Sequence, residues 1–247
     1  MKLIKSSFLF LTLAATIIAC GPKGKTVETS EAKEVAAAAG AKSFTLNIEN
    51  SVVTWIGSKP AGKHNGTINI TAGSLKMNGN EIVAGNFTMG INSLKDLDMA
   101  GSDGAGKLEG HLMSADFFDA ANFPEATFEI TSIEAFSSAN LAADNTEFET
   151  ENTPATQSEI LVTNPTHFIS GNLTMRRTTK NITFPANVKV ANGLVNAEAN
   201  FNINRTDWGL MYGDEAGAAD KAKDKFIYNT VTVGIVIEAS TQERASL

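Results

Sequence analysis

The sequence predicts an all-β fold: an antiparallel sheet of roughly eight strands closed into a barrel, with one short α-helix. Two observations carry this. From Phe44 onward, segment after segment alternates apolar with polar residues at a period of two, which is the spacing of a strand with one buried face. The opposite positions are rich in Asn, Thr and Glu, so each strand turns a polar face outward, as antiparallel sheets do. Closure removes the edges that such a sheet would otherwise expose.

Taken in order, Val53, Trp55 and Gly57 share one face of the first clear strand, and Ile68 and Ile70 lie together in the next. Val83, Phe87, Met89 and Ile91 line up against Asn86, Thr88 and Asn92. Phe128 and Ile130 alternate with Thr127, Glu129 and Thr131, and Ile169, Leu173 and Met175 with Asn172 and Thr174. Ile182, Phe184, Val188 and Val190 continue across Pro185, and Phe201 and Ile203 follow among asparagines. Val231, Val233, Ile235 and Ile237 close the series. Turn signals separate these runs at Asn78-Gly79-Asn80, Asn192-Gly193 and the glycine-rich 101–106 stretch. Leu108, Leu112 and Met113 stand at helical spacing, predicting a helix over Lys107 to Phe118 that ends before Pro124. The acidic, Thr/Asn/Ser-rich segment 136–165 reads as an inserted long loop or ragged hairpin.

The chain has 247 residues, of which 43% are hydrophobic and 19% charged, ample for a core and unlike a disordered chain. A net charge of −7 with no basic run excludes nucleic acid as an expected partner. The single cysteine, Cys20, rules out an intrachain disulfide and any multi-cysteine metal site. It ends a start with Lys2 and Lys5 followed by a short apolar run, the pattern of a secretory signal rather than a spanning helix. Ile17-Ile18-Ala19-Cys20 resembles a bacterial lipoprotein signal, which implies cleavage before Cys20 and lipidation of its thiol. The expected organisation is a signal peptide over 1–19, a flexible tether over 20–43, a barrel domain over 44–240 with the 136–165 insertion, and a tail over 241–247. Loss of the signal lysines would take the charge to −9, so the lipid anchor rather than charge would hold the protein to a membrane. The expected location is the bacterial envelope, on the periplasmic side of the outer membrane.

Tests for chemistry find no constellation. His64, His111 and His167 are far apart and at no metal-ligand spacing, so no metal is expected. Asp96-x-Asp98 followed by Gly101 begins like a calcium loop but breaks at Ala100 and Lys107. Gly104-x-Gly106 cannot complete a dinucleotide fingerprint, because Glu109 stands where the third glycine belongs. No nucleophile elbow or phosphate loop is present, and the protein is read as non-enzymatic, without a cofactor.

Four segments together resemble the YceI-like family. They are Gly110 to Asp119 with Asn122-Phe123-Pro124 and Ala126-Thr127-Phe128, then Ile169 to Met175 with Thr178-Thr179-Lys180, then Arg205-Thr206-Asp207-Trp208-Gly209, and the closing strand Val231 to Glu238. The resemblance implies a lipocalin-like eight-stranded antiparallel β-barrel whose apolar tunnel holds a polyisoprenoid chain, such as a quinone or polyprenyl tail. It implies tunnel-lining roles for Val83, Phe87, Met89, Ile91, Phe128, Ile130, Leu173, Met175, Phe201 and Ile203. Arg205 would meet a headgroup or pair with Asp116 or Asp119. Arg176-Arg177 departs from the family's single basic residue, and the 136–165 insertion is longer than usual. The expected partners are an isoprenoid or other long-chain lipid and the membrane, and a homodimer is left open. The alternative is an envelope interaction or stress-protective protein whose barrel is packed solid.

Overall fold

The computed structural model describes residues 23–24, 26–138, 145–218 and 225–241. Nine long strands form the barrel: β1 (Lys42–Leu46), β2 (Val52–Lys59), β3 (Gly62–Asn78), β4 (Glu81–Gly90), β5 (Glu125–Ala135), β6 (His167–Met175), β7 (Thr178–Ala191), β8 (Leu194–Asn204) and β9 (Thr230–Ser240). Helix α1 (Asp103–Met113) lies between β4 and β5, and the single turn α2 (Gln157–Ile160) lies between β5 and β6. Every strand pairing is antiparallel, and the sheet closes where β8 meets β9. β1 and β2 share one position between β3 and β9. β1 pairs the far end of β3, at Lys42 with Met77, while β2 pairs its near end, at Lys59 with Gly62. Nine strands thus make eight staves, a barrel narrow enough for side chains or one small ligand to fill.

The hairpins follow from local chemistry. Asn192 and Gly193 both take left-handed φ, 52° and 72°, the type I′ turn that the sequence signalled. Arg176 and Arg177 do the same at 46° and 67° without a glycine, an uncommon conformation for side-chain-bearing residues. Contacts hold this turn: Arg176 Nη1 donates to the Phe117 carbonyl at 2.7 Å, and the Arg177 guanidinium lies 4.7 Å from the Phe123 ring centroid. Both arginines therefore fasten the segment after α1 to the barrel rim. α1 itself starts earlier and ends sooner than the apolar spacing indicates. Ser102 caps it by accepting from the Ala105 amide, so residues 103–106, read as turn, are helical, and the helix stops at Met113.

Between β7 and β8 the wall splits. The two strands pair only from Ala186 with Ala199 to Ala191 with Leu194. Beyond that point their backbone groups need other partners, since buried amides and carbonyls are rarely left unpaired. Two segments outside the barrel supply them. Val27 N donates to Asn202 O at 2.7 Å, and Ser30 exchanges two backbone bonds with Asn181. From the insertion, Gln157 Nε2 donates to Asn200 O and its Oε1 accepts from Asn202 N.

This changes two expectations. Residues 26–36 are no free tether: they cross β8, β7, β6 and β5 in turn, bonded at Asn202, Asn181, Asn172 and Ile130. They also form no helix. The described part of the insertion lies on the outer wall, where Asn202 Nδ2 donates to Ala155 O, and near the entry to β9, where Tyr228 Oη donates to Phe148 O. The outward asparagines Asn172 and Asn202, read as solvent-facing, are consequently buried and hydrogen-bonded, and so is their neighbour Asn181. Signal residues 1–19, Cys20 and residues 242–247 lie outside the described residues.

Candidate functional site

Inside the barrel lies a cavity of about 480 Å³ that side chains do not fill, within the range of small-molecule pockets. Its wall comes from the inward positions of the strands. Val53 and Trp55 on β2, Ile68 and Ile70 on β3, Phe184 on β7, and Val231, Val233, Ile235 and Ile237 on β9 all face it. Of the ten residues picked out by sequence, nine face it too: Phe87, Met89, Ile91, Phe128, Ile130, Leu173, Met175, Phe201 and Ile203.

Val83 does not, and Ile82 takes its place. The cause is a β-bulge: Met77 pairs with Ile82 but Lys76 with Ala84, leaving Val83 as the extra residue. One inserted residue exchanges the inner and outer faces of the strand before it. Aromatic rings organise the wall. Phe184 stacks on Phe201 at 4.2 Å and 10°, and Phe128 lies 5.7 Å from Phe184 and 6.4 Å from Phe87. Gly171 is the opening that Phe128 needs, since a Cβ there would lie 2.1 Å from Phe128 Cζ.

The end of the barrel at the β2–β3 hairpin is covered by α1, the 114–124 segment and residues 205–218 and 225–228. Leu108, Leu112, Phe117, Phe118, Leu210 and Tyr212 reach the cavity from there. Polar groups gather at the same end. His111 stands edge-on to Phe117 at 5.2 Å and to Tyr212 at 4.6 Å, with Nε2 3.4 Å from Asp116 Oδ2. His64 and Lys59 also border it. On the wall of β2, the Trp55 indole N–H is buried without a hydrogen-bond partner among the described residues.

Arg205 is buried at this end, but it pairs with neither Asp116 nor Asp119. Its guanidinium donates to the carbonyls of Tyr228 at 3.2 Å, Ile227 at 3.0 Å and Leu210, and to Asn229 Oδ1 at 3.3 Å. Burial pulls its pKa down, opposed by the nearby charges of Asp214 and Glu215. The residue thus ties the turn after β8 to the segment entering β9. Four acceptors in one planar fork suit a structural anchor. Asp116 faces His111, and Asp119, at φ 51°, accepts from the Asn122 amide at 3.0 Å.

Sequence reasoning missed His111, Tyr212, Leu108 and Trp55 as cavity residues. Trp55 carried the signal, since it alternates with Val53, but His111 and Tyr212 lie outside strands, where periodicity is silent.

A closed antiparallel barrel around an apolar cavity with one polar end defines a lipocalin-like architecture. The chain belongs to the YceI-like domain family, whose model matches residues 44–239. No match is found among curated protein sequences. Among solved structures, Burkholderia cenocepacia BcnA shares the fold at a TM-score of 0.53 and 16% identity, over 79% of this chain and 99% of that one. A polyisoprenoid binding domain from Saccharophagus degradans, implicated in plant cell wall breakdown, gives a TM-score of 0.49 at 15% identity, over 84% of this chain and 99% of that one. The Campylobacter jejuni YCEI protein gives 0.41 at 17% identity, over 96% and 99%.

Proposed function

We propose that this chain holds one long apolar molecule, a polyisoprenoid or quinone tail, inside the barrel, as a non-catalytic lipid-binding lipoprotein of a bacterial envelope. The observation that carries the reading is the apolar cavity of about 480 Å³ at the barrel centre. Each buried methylene is worth about 0.8 kcal/mol, so an isoprenoid chain leaves a membrane only when something shields it. Phe87, Phe128, Phe184 and Phe201 supply rigid apolar area, and Met89 and Met175 adapt to an irregular chain. The headgroup belongs at the end closed by α1, where His111 and Tyr212 border the cavity. Anchoring through a lipidated Cys20 would set the barrel beside its source of lipid. The rival reading of a solid core does not match a cavity of this size.

The test is native mass spectrometry of the Cys20→Ser chain, purified from a bacterial host without detergent. A discrete added mass matching a polyprenyl lipid, lost in Met89→Trp, is expected. A bare mass that stays bare after incubation with quinones and polyprenols would overturn the reading. For the anchor, intact-mass analysis of the wild-type chain should show acylation at Cys20, and an unmodified amino terminus would refute it.

A further inference from the structure

Three side chains with metal-binding atoms meet at the same end of the barrel, brought together from sequence positions 32 and 34 residues apart. His64 stands on β3. Asp96 and Asp98 follow β4 on a segment that folds back along β3, with Asp96 opposite Gly66 and Lys95 opposite Thr67. We propose that His64, Asp96 and Asp98 bind a divalent first-row transition ion such as Zn²⁺.

The geometry fits one ion. His64 Nδ1 lies 3.0 Å from Asp98 Oδ2 and 3.9 Å from Asp96 Oδ2, and all three ligand atoms fall within 4.8 Å of one another. Ligands about 2.0–2.2 Å from a common ion stand roughly 3.0–3.5 Å apart, so no pair among the three needs to close by more than about 2 Å. The independent sign is Asp96. Its side chain is fully buried, and Oδ2 has no hydrogen-bond partner among the described residues. A buried carboxylate oxygen is costly unless a partner or a cation meets it. The rest of Asp96 is already committed: Oδ1 accepts from Met99 N at 2.8 Å, and its own amide donates to Glu109 Oε1 at 3.1 Å. These bonds fix the carboxylate so that Oδ2 faces His64.

The scaffold around the trio is equally fixed. Asn65 N donates to Asp98 Oδ1 at 2.8 Å, and Leu97 N donates to Asn65 O at 2.9 Å. Gly66 permits the close approach, since a Cβ there would lie 1.8 Å from the Lys95 carbonyl oxygen. The nearest lysine on this segment, Lys95, is engaged with Glu109 at 3.0 Å and so does not neutralise Asp96. One imidazole nitrogen with two carboxylates suits Zn²⁺, Mn²⁺, Fe²⁺ or Co²⁺ rather than Ca²⁺, which takes six to eight oxygens. Part exposure of His64 and Asp98, 26% and 33% of their side chains, lets water complete the shell. Ligation by Nδ1 places the imidazole proton on Nε2. The ion would then clip the 95–98 segment to β3 at the foot of α1, whose Glu109 holds the same segment from the other side.

The experiment is calorimetric titration of the chelator-treated full chain with ZnCl₂, together with the visible spectrum of the Co²⁺ form. One ion per chain and a Co²⁺ d–d band that Zn²⁺ displaces are expected. Changing a group that merely supports a metal ligand costs 10–100-fold in affinity, so His64→Gln and Asp96→Asn should each lose more than about tenfold. Asp119→Asn, which alters a carboxylate elsewhere, should leave affinity unchanged. Binding that Asp96→Asn and His64→Gln both leave intact, a preference for Ca²⁺, or no saturable Zn²⁺ binding would each overturn the proposal. His64→Gln, at a part-exposed position, keeps the test sound if the Asp96 variant misfolds.

Discussion

Gly171→Ala tests the inner wall most directly. Gly171 is paired on both sides, with Ile182 on β7 and Ile130 on β5, so its backbone cannot yield. The new methyl would lie 2.1 Å from Phe128 Cζ and 2.6 and 2.7 Å from the two Cε atoms. Carbon atoms settle at about 3.5–4.0 Å, so the ring must retreat by roughly 1.5 Å. Its retreat is limited on the wall by Phe87 and Phe184, leaving the cavity as the way out. An off-rotamer ring costs about 0.5–1.5 kcal/mol and overpacking about 1–3 kcal/mol. Replacing a strand glycine returns about 0.5–1 kcal/mol. The net loss expected is about 1–2 kcal/mol, a fall in Tm of roughly 2–8 °C for a chain of this size. Thermal and urea unfolding in a double-mutant cycle with Phe128→Leu would measure it. In the Leu background alanine should be neutral or stabilising, giving a coupling of about 1–3 kcal/mol. Equal losses from Gly171→Ala in both backgrounds would refute the reasoning.

Asn181→Ala removes bonds to Thr131 Oγ1 at 3.0 Å and Asn172 Oδ1 at 3.1 Å, and should cost about 2–4 kcal/mol in urea unfolding; a loss below about 0.5 kcal/mol would show the network to be dispensable. Arg176→Ala frees the Phe117 carbonyl and should speed amide exchange of residues 114–124 by roughly tenfold, with β9 unaffected; no change there would exclude the latch. The Asn229 amide, donating to Asp214 at 2.7 Å, holds the Asp214 carboxyl below its ordinary 3.8. That depressed value adds stability above pH 3.8 which fades as pH falls through it, so Asp214→Asn should flatten the acid side of the stability–pH curve and leave its neutral shape unchanged. Finally, with about 24 cal/mol lost per Å³ of unfilled core, a cavity of about 480 Å³ sets an upper bound of roughly 12 kcal/mol. Delipidated chain should therefore melt well below lipid-loaded chain, and equal Tm values would count against the lipid reading.

The inner wall was legible because it obeys one local rule. Phe87, Met89 and Ile91 on and just after β4, Phe201 and Ile203 on β8, and the four aliphatics of β9 repeat at two because each strand buries one face. The outer wall was not, because burial of a polar residue leaves no trace in composition. Asn172, Asn181 and Asn202 occupy the polar phase of their strands, as solvent-facing residues would. Only the docking of residues 26–36 and of Gln157 distinguishes them. The same docking hides the role of residues 26–36 themselves. With few large side chains they lack a hydrophobic signature, and their attachment runs through backbone bonds that any sequence can make.

At the site, the misses share a physical cause. A bulge at Val83 shifts phase by one residue, and a run read as Val83, Phe87, Met89, Ile91 cannot reveal it, because Ile82 and Val83 are equally apolar. Arg205 alternates in phase with Phe201 and Ile203, so its direction into the barrel end was legible. Its partners were not, since three of the four are carbonyls, which carry no residue identity. The trio of His64, Asp96 and Asp98 shows the same limit most sharply. Local spacing rejected the two aspartates as a calcium loop and the histidine as a ligand. What joins them is register, since Asp96 opposite Gly66 sets its segment beside His64, two residues back along β3. Ligand sets assembled across strands are invisible to any window shorter than the hairpin that builds them. In a barrel, the ends where loops fold back along strands are therefore where chemistry escapes a linear reading.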